Sequence, residues 1–122
     1  MASDNEWPAS KAADEIRAIA RSLKLTISYT KHARERIVER GLIISDVLYV
    51  LKNGFVHAEP SPSTRPGFLK YAIECRSPNG GNRSVRVIVI PDKNACFLKI
   101  ATVMWADEPD TRSGTIIGEN DE

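Results

Sequence analysis

Apolar residues along this 122-residue chain change their spacing near Phe55. Before it they recur every three or four positions, and after it every second, which predicts helices first and strands second. Ile16, Ile19, Ala20 and Leu23 outline an amphipathic helix over about residues 10–24, with Ser10 as its cap and Asp14 and Glu15 in its first turn. The stretch Leu25 to Tyr29 alternates and suits a brief strand. Thr30 is placed to cap a second helix that runs to Arg40 and stops at Gly41. Ser45 and Asp46 open a third, with Val47, Leu48, Val50 and Leu51 for the core, Gly54 just past its end, and Ile44 and Tyr49 spaced as a hydrophobic staple.

Phe55 to Glu59 reads as a first strand of the second half, followed by residues 60–67, whose three prolines exclude a helix. Clearer strands follow at Phe68 to Ser77, Arg83 to Ile90 and Cys96 to Trp105, with Asn79-Gly80-Gly81-Asn82 as a hairpin turn. Strict alternation puts Leu69, Tyr71, Ile73, Cys75, Val85, Val87, Val89, Leu98, Ile100, Thr102 and Met104 on the face that meets the helices. Lys70, Glu74, Arg76, Arg86 and Lys99 fall on the other face, with Phe97, Val103 and Trp105. The expected fold is α+β, with N-terminal helices packed on one face of a three- to four-stranded antiparallel meander. The chain is expected to form one domain, with residues 1–9 as a flexible N-terminus and residues 106–122 as an acidic flexible tail.

Composition narrows the functional classes. Charged residues make up 27% and hydrophobic residues 42%, as in globular domains, and no apolar run reaches the length of a membrane span. The two cysteines, Cys75 and Cys96, fall in strand-like segments, and the first residues lack a signal-peptide pattern, so the cytoplasm is expected. His32 and His57 are the only histidines, and no Cys/His cluster has ligand spacing, so neither a metal nor another cofactor is expected. The net charge of +1 conceals an asymmetry: residues 104–122 hold one base, Arg112, against six acids, which leaves a balance of +6 on residues 1–103. A basic body with an acidic end is one pattern of proteins that meet a polyanion, and clustered surface charge is the plain alternative.

The chemistry concentrates in His32-Ala33-Arg34-Glu35-Arg36-Ile37-Val38-Glu39-Arg40. At about 100° per residue, His32, Arg36 and Arg40 advance by only about 40° per step and form one stripe. With Ala33 and Ile37 beside it, that stripe follows the border between buried and solvated surface. An imidazole there exchanges protons near neutral pH, and two guanidiniums hold a phosphate or its more charged transition state. These groups suit metal-free RNA cleavage, in which the ribose 2′-hydroxyl attacks the neighbouring phosphorus. A second proton carrier is needed, for which His57, Tyr71 or a water are the candidates. The competing reading is a solvated helix held by ordinary pairs such as Lys31–Glu35 and Arg36–Glu39. On the outer sheet face Arg86, Lys70 and Lys99, beside Phe97 and Trp105, form a candidate nucleic-acid platform. A dimer contact would use the same surface.

The run His32-Ala33-x-x-Arg36-x-x-Glu39-Arg40-Gly41-Leu42, followed by Asp46-Val47 and Leu51-x-Asn53-Gly54, resembles the signature of the family called domain of unknown function 4258. Tyr71-Ala72-Ile73, Val85 to Val89 and Ile100 to Val103 resemble its sheet, so the likeness spans about residues 27–105. The resemblance implies a RelE-like architecture and a grouping with RelE/ParE- and BrnT-type toxins. It further implies a metal-independent ribonuclease with an antitoxin as partner, and it points to His32, Arg36, Arg40 and Thr102 as catalytic. A non-catalytic module that binds nucleic acid or protein is the alternative.

Overall fold

A computed structural model describes residues 4–108, as three α-helices and one mixed sheet of six short and long strands. The elements run α1 (Ala9–Arg21), β1 (Thr26–Tyr29), α2 (Lys31–Glu39), α3 (Ile44–Asn53), β2 (Phe55–Val56), β3 (Ser61–Pro62), β4 (Leu69–Arg76), β5 (Ser84–Asp92) and β6 (Phe97–Trp105). The strand order is β1-β6-β5-β4-β2, and β3 pairs with the start of β4. β4, β5 and β6 pair antiparallel in chain order, whereas β1 joins β6 in parallel, so the sheet is not the antiparallel meander that alternation predicted. A parallel partner needs a long crossover. Here everything between residues 30 and 96 supplies it, which no local pattern could announce.

Buried side chains of all three helices join the inner face of the sheet in one core. Ile16, Ile19, Ala33, Ile37, Val47 and Leu51 meet Tyr71, Ile73, Val85, Val87, Leu98 and Ile100. α1 begins one residue earlier than expected, on Pro8, so Ser10 lies inside it. It ends at Arg21, leaving Leu23 fully exposed. Within the segment expected to be flexible, of which residues 1–3 lie outside the described residues, Trp7 is buried, its main-chain N–H donates to the Tyr71 hydroxyl (2.6 Å), and that hydroxyl donates back to the Trp7 carbonyl (2.8 Å). Asn5 accepts from the Lys93 N–H. Ile44 and Tyr49 stay exposed rather than forming a staple, β2 is only two residues long, and Cys96 lies in the turn before β6. Both cysteines are free.

The face assignment fails halfway along β6, for one reason. Val89 pairs with Ile100 and Ile88 with Thr102, so Ala101 is an extra residue in the strand. A one-residue bulge reverses the alternation beyond it. Val103 therefore pairs with Val87 and Trp105 with Val85 on the core face, while Thr102 and Met104 lie opposite Ile88 and Arg86 on the outer face. The expectations for Thr102, Met104, Val103 and Trp105 are all inverted by this single insertion.

Candidate functional site

α2 stands where β1 stops. β1 pairs with β6 only as far as Ile100, and the freed edge is taken over by the helix: the Thr30 N–H donates to the Ile100 carbonyl and the Thr30 hydroxyl to the Ala101 carbonyl (2.8 Å). The same hydroxyl accepts from the Ala33 N–H (2.9 Å), the N-cap the sequence led us to expect. At its other end, Arg40 reaches Glu108, three residues past β6. α2 thus runs alongside β6 from the bulge to the end of the strand, in the same direction.

The stripe follows this line. His32 is buried, two residues after the cap that bonds Ala101, and Thr102 follows Ala101 on β6. Arg36 and Arg40 are each about one quarter exposed. Arg36 pairs with Glu39 at 2.5 Å, as expected. Arg40 makes a two-pronged bond to Glu108, Nε to Oε1 at 2.6 Å and Nη2 to Oε2 at 2.7 Å, and its Nη1 lies 3.6 Å from Glu39. The Glu108 bond raises the Arg40 pKa over the opposing effect of burial, and the same bond holds Glu108 below the usual carboxylate range. Both guanidiniums of the stripe thus face carboxylates. The pairing of Arg36 was legible from its spacing, and that of Arg40 was not, because Glu108 lies 68 residues away.

Thr102 sits near the N-terminus of α2 along the backbone, but its register places it on the outer face, where it is buried. That face also holds Lys99, paired with Ile90, and Arg86, which donates to Glu74 at 2.7 Å. Lys70 precedes Tyr71, the partner of Val89, and so lies beside Ile90 in the same register. Arg86, Lys70 and Lys99 are all half-buried. The structure therefore groups Thr102 with the basic residues of the sheet, across the rim of β6 from the helix. Trp105 leaves this face: it packs on the core and carries the Arg83 guanidinium 4.2 Å above its ring.

Two candidates for the second proton carrier lie elsewhere. Tyr71 is fully buried and committed to Trp7, and burial pushes its hydroxyl pKa up. His57 follows β2, at the opposite edge of the sheet from α2. A shallow depression along Lys31, Arg34, Glu35 and Val38 lies on the solvent side of α2 and includes no stripe residue. Among the described residues, no three His, Cys, Asp or Glu side chains converge as a metal site would require, and no helix is long and apolar enough to cross a membrane.

The remaining signature residues have structural tasks. Gly41 adopts φ +69° to end α2, and Leu42 and Val47 are core. Asp46 is buried at the start of α3, where it accepts from the Ile43 N–H, the Ser77 hydroxyl (2.8 Å) and Asn79 (3.2 Å). Gly54 lets α3 touch the sheet: a Cβ there would stand 2.7 Å from the Val50 carbonyl and 2.8 Å from Ile73. His32, Arg36, Glu39 and Arg40 are the signature positions with ionisable side chains on α2 and its C-cap: His32 is buried, Arg36 pairs with Glu39, and Arg40 holds Glu108. Searches of curated proteins and of solved structures found no match to the chain. A family model does match over residues 29–105, from the last residue of β1 to the last of β6, and the chain belongs to that family, described as a domain of unknown function (DUF4258).

Proposed function

We propose that the protein is a toxin-like, metal-independent endoribonuclease of the RelE/ParE and BrnT kind, held in check by an antitoxin protein. The observation that supports this reading best is the placement of His32, Arg36 and Arg40 in one line along the β6 edge, with Thr102 and the basic sheet face just beyond it. In the reaction the ribose 2′-oxygen bonds to phosphorus and the bond from phosphorus to the 5′-oxygen breaks. The 2′-hydroxyl proton goes to a base, the departing oxygen takes a proton from an acid, and a 2′,3′-cyclic phosphate remains. His32 serves as one proton carrier and a water as the other, Arg36 and Arg40 take the charge of the phosphorane, and Thr102 donates to the phosphate.

Purified protein incubated with RNA and EDTA is expected to yield fragments ending in 2′,3′-cyclic phosphate. His32→Ala is expected to abolish them while near-UV circular dichroism stays native. Intact RNA across pH 5 to 9 would refute the proposal. One observation favours a second reading, a non-catalytic RNA-binding module: Lys70, Lys99 and Arg86 share one face of the sheet, on three neighbouring strands. That reading predicts salt-sensitive binding with no product.

A further inference from the structure

We propose that the end of β6 is a phosphate-binding subsite whose resident anion is the chain's own Glu108. Three N–H donors from two elements converge on this one carboxylate: Arg40 Nε and Nη2, at 2.6 and 2.7 Å, and the Trp105 main-chain N–H, at 2.8 Å to Oε1. A guanidinium fork with a main-chain N–H beside it receives phosphate oxygens in the same geometry as carboxylate oxygens.

The occupant is held by these three bonds and by one bond of its own main chain. Glu108 closes a four-residue turn through its own N–H to the Trp105 carbonyl (3.1 Å), past the end of β6, so a swing of its carboxylate breaks the three bonds to its side chain and no rung of the sheet. Arg40 and Glu108 are each about a quarter exposed, so solvent and a dissolved anion reach the pair. The neighbouring Asp107 is bound to Arg83 in the same two-pronged way, at 2.7 and 3.1 Å, and its removal from Arg83 is not required for Glu108 to swing out. The donors stay in place when the carboxylate leaves, because α2 is fixed by Thr30 and Ile37 and Trp105 by its pairing with Val85. The incoming phosphate then inherits the three donors. That the phosphate belongs to an RNA backbone rests on the proposed function; the subsite itself does not.

The test follows the Arg40 Nε–H signal by NMR in the full chain while pyrophosphate is added. Glu108→Gln keeps the size of the side chain and an acceptor for Trp105 but removes the charge. Its titration midpoint is expected to fall about tenfold below wild type. The gain is expected to vanish in Arg40→Gln/Glu108→Gln. Equal midpoints, or a gain that survives without Arg40, would overturn the subsite. In unaltered protein, saturating pyrophosphate is expected to return the Glu108 carboxyl to an ordinary titration range, and no movement would count against displacement even if the variants were unstable. A 2′-O-methyl oligoribonucleotide separates the two ideas. Displacement by pyrophosphate without any RNA binding defeats the RNA reading and leaves the subsite standing. The 2′-O-methyl oligoribonucleotide bound equally, and unmodified RNA cut equally, by wild type and Glu108→Gln, with no pyrophosphate effect, does the reverse.

Discussion

Asp46 is the most heavily engaged carboxylate in the core of the fold. Burial raises its pKa, but bonds from the Ile43 N–H, Ser77 and Asn79 outweigh it and hold the carboxyl below its ordinary value. A depressed pKa means that the ionised form stabilises the fold above the unfolded value near pH 3.9, and that this contribution is lost as pH falls through the folded value. Asp46→Ala is expected to cost about 1–3 kcal/mol at neutral pH, because it leaves Ser77 buried and short of its partner. Asp46→Asn keeps the shape and removes the titration. Below about pH 4 its urea midpoint is expected to converge on that of wild type. Parallel urea melts between pH 2.5 and 7 test both, and a constant gap between the curves would mean that the carboxyl titrates as in the unfolded chain.

At the scale of elements, α2 and its cap were legible because every determinant is local: Thr30 three residues before Ala33, the periodicity of Ala33 and Ile37, and Gly41 at positive φ. β4 and β5 were legible for the same reason, since alternation runs through β4 and through β5 as far as Val89. What escaped were features decided by partners distant in the chain. The bulge at Ala101 is set by pairing with β5 and by the cap of α2, and it moved Thr102 to the outer face. The His32–Arg36–Arg40 line was readable from spacing, yet its anchoring to β6 and the Glu108 bond were not. Thr30 joins the local and the distant, since one hydroxyl caps the helix and bonds the bulge. Thr30→Val, similar in shape, is expected to cost about 1–2 kcal/mol, with Thr30→Ser restoring most of it. Amide exchange in α2 and at Ala101 to Val103 is expected to quicken together. Faster exchange in α2 alone would show that the bulge is held by the sheet and not by the cap.

Across the whole molecule, the balance of +1 has a structural meaning at two of its acids. Asp107 and Glu108 neutralise Arg83 and Arg40, while the four acids beyond them lie outside the described residues, as does most of the segment expected to form an acidic tail. Arg86 is likewise met by Glu74. Basic groups that already hold a carboxylate add little to the attraction of a polyanion until that carboxylate leaves. On the proposed function, the long-range pull on RNA is assigned to Lys70 and Lys99 by position, since both stand on the outer face on either side of Ile90. Each phosphate met on a single strand contributes roughly 0.7 to the slope of log affinity against log salt. Lys70→Gln/Lys99→Gln is then expected to flatten that slope by about 1.4. Arg40→Gln should leave it nearly unchanged, because Arg40 releases Glu108 as it takes up phosphate and the net count of charges met is the same. His32→Ala should leave it unchanged as well. Filter binding of a 2′-O-methyl oligoribonucleotide at four salt concentrations would decide the assignment, and a slope that falls with Arg40→Gln but not with the lysine pair would move the RNA from the sheet to the helix.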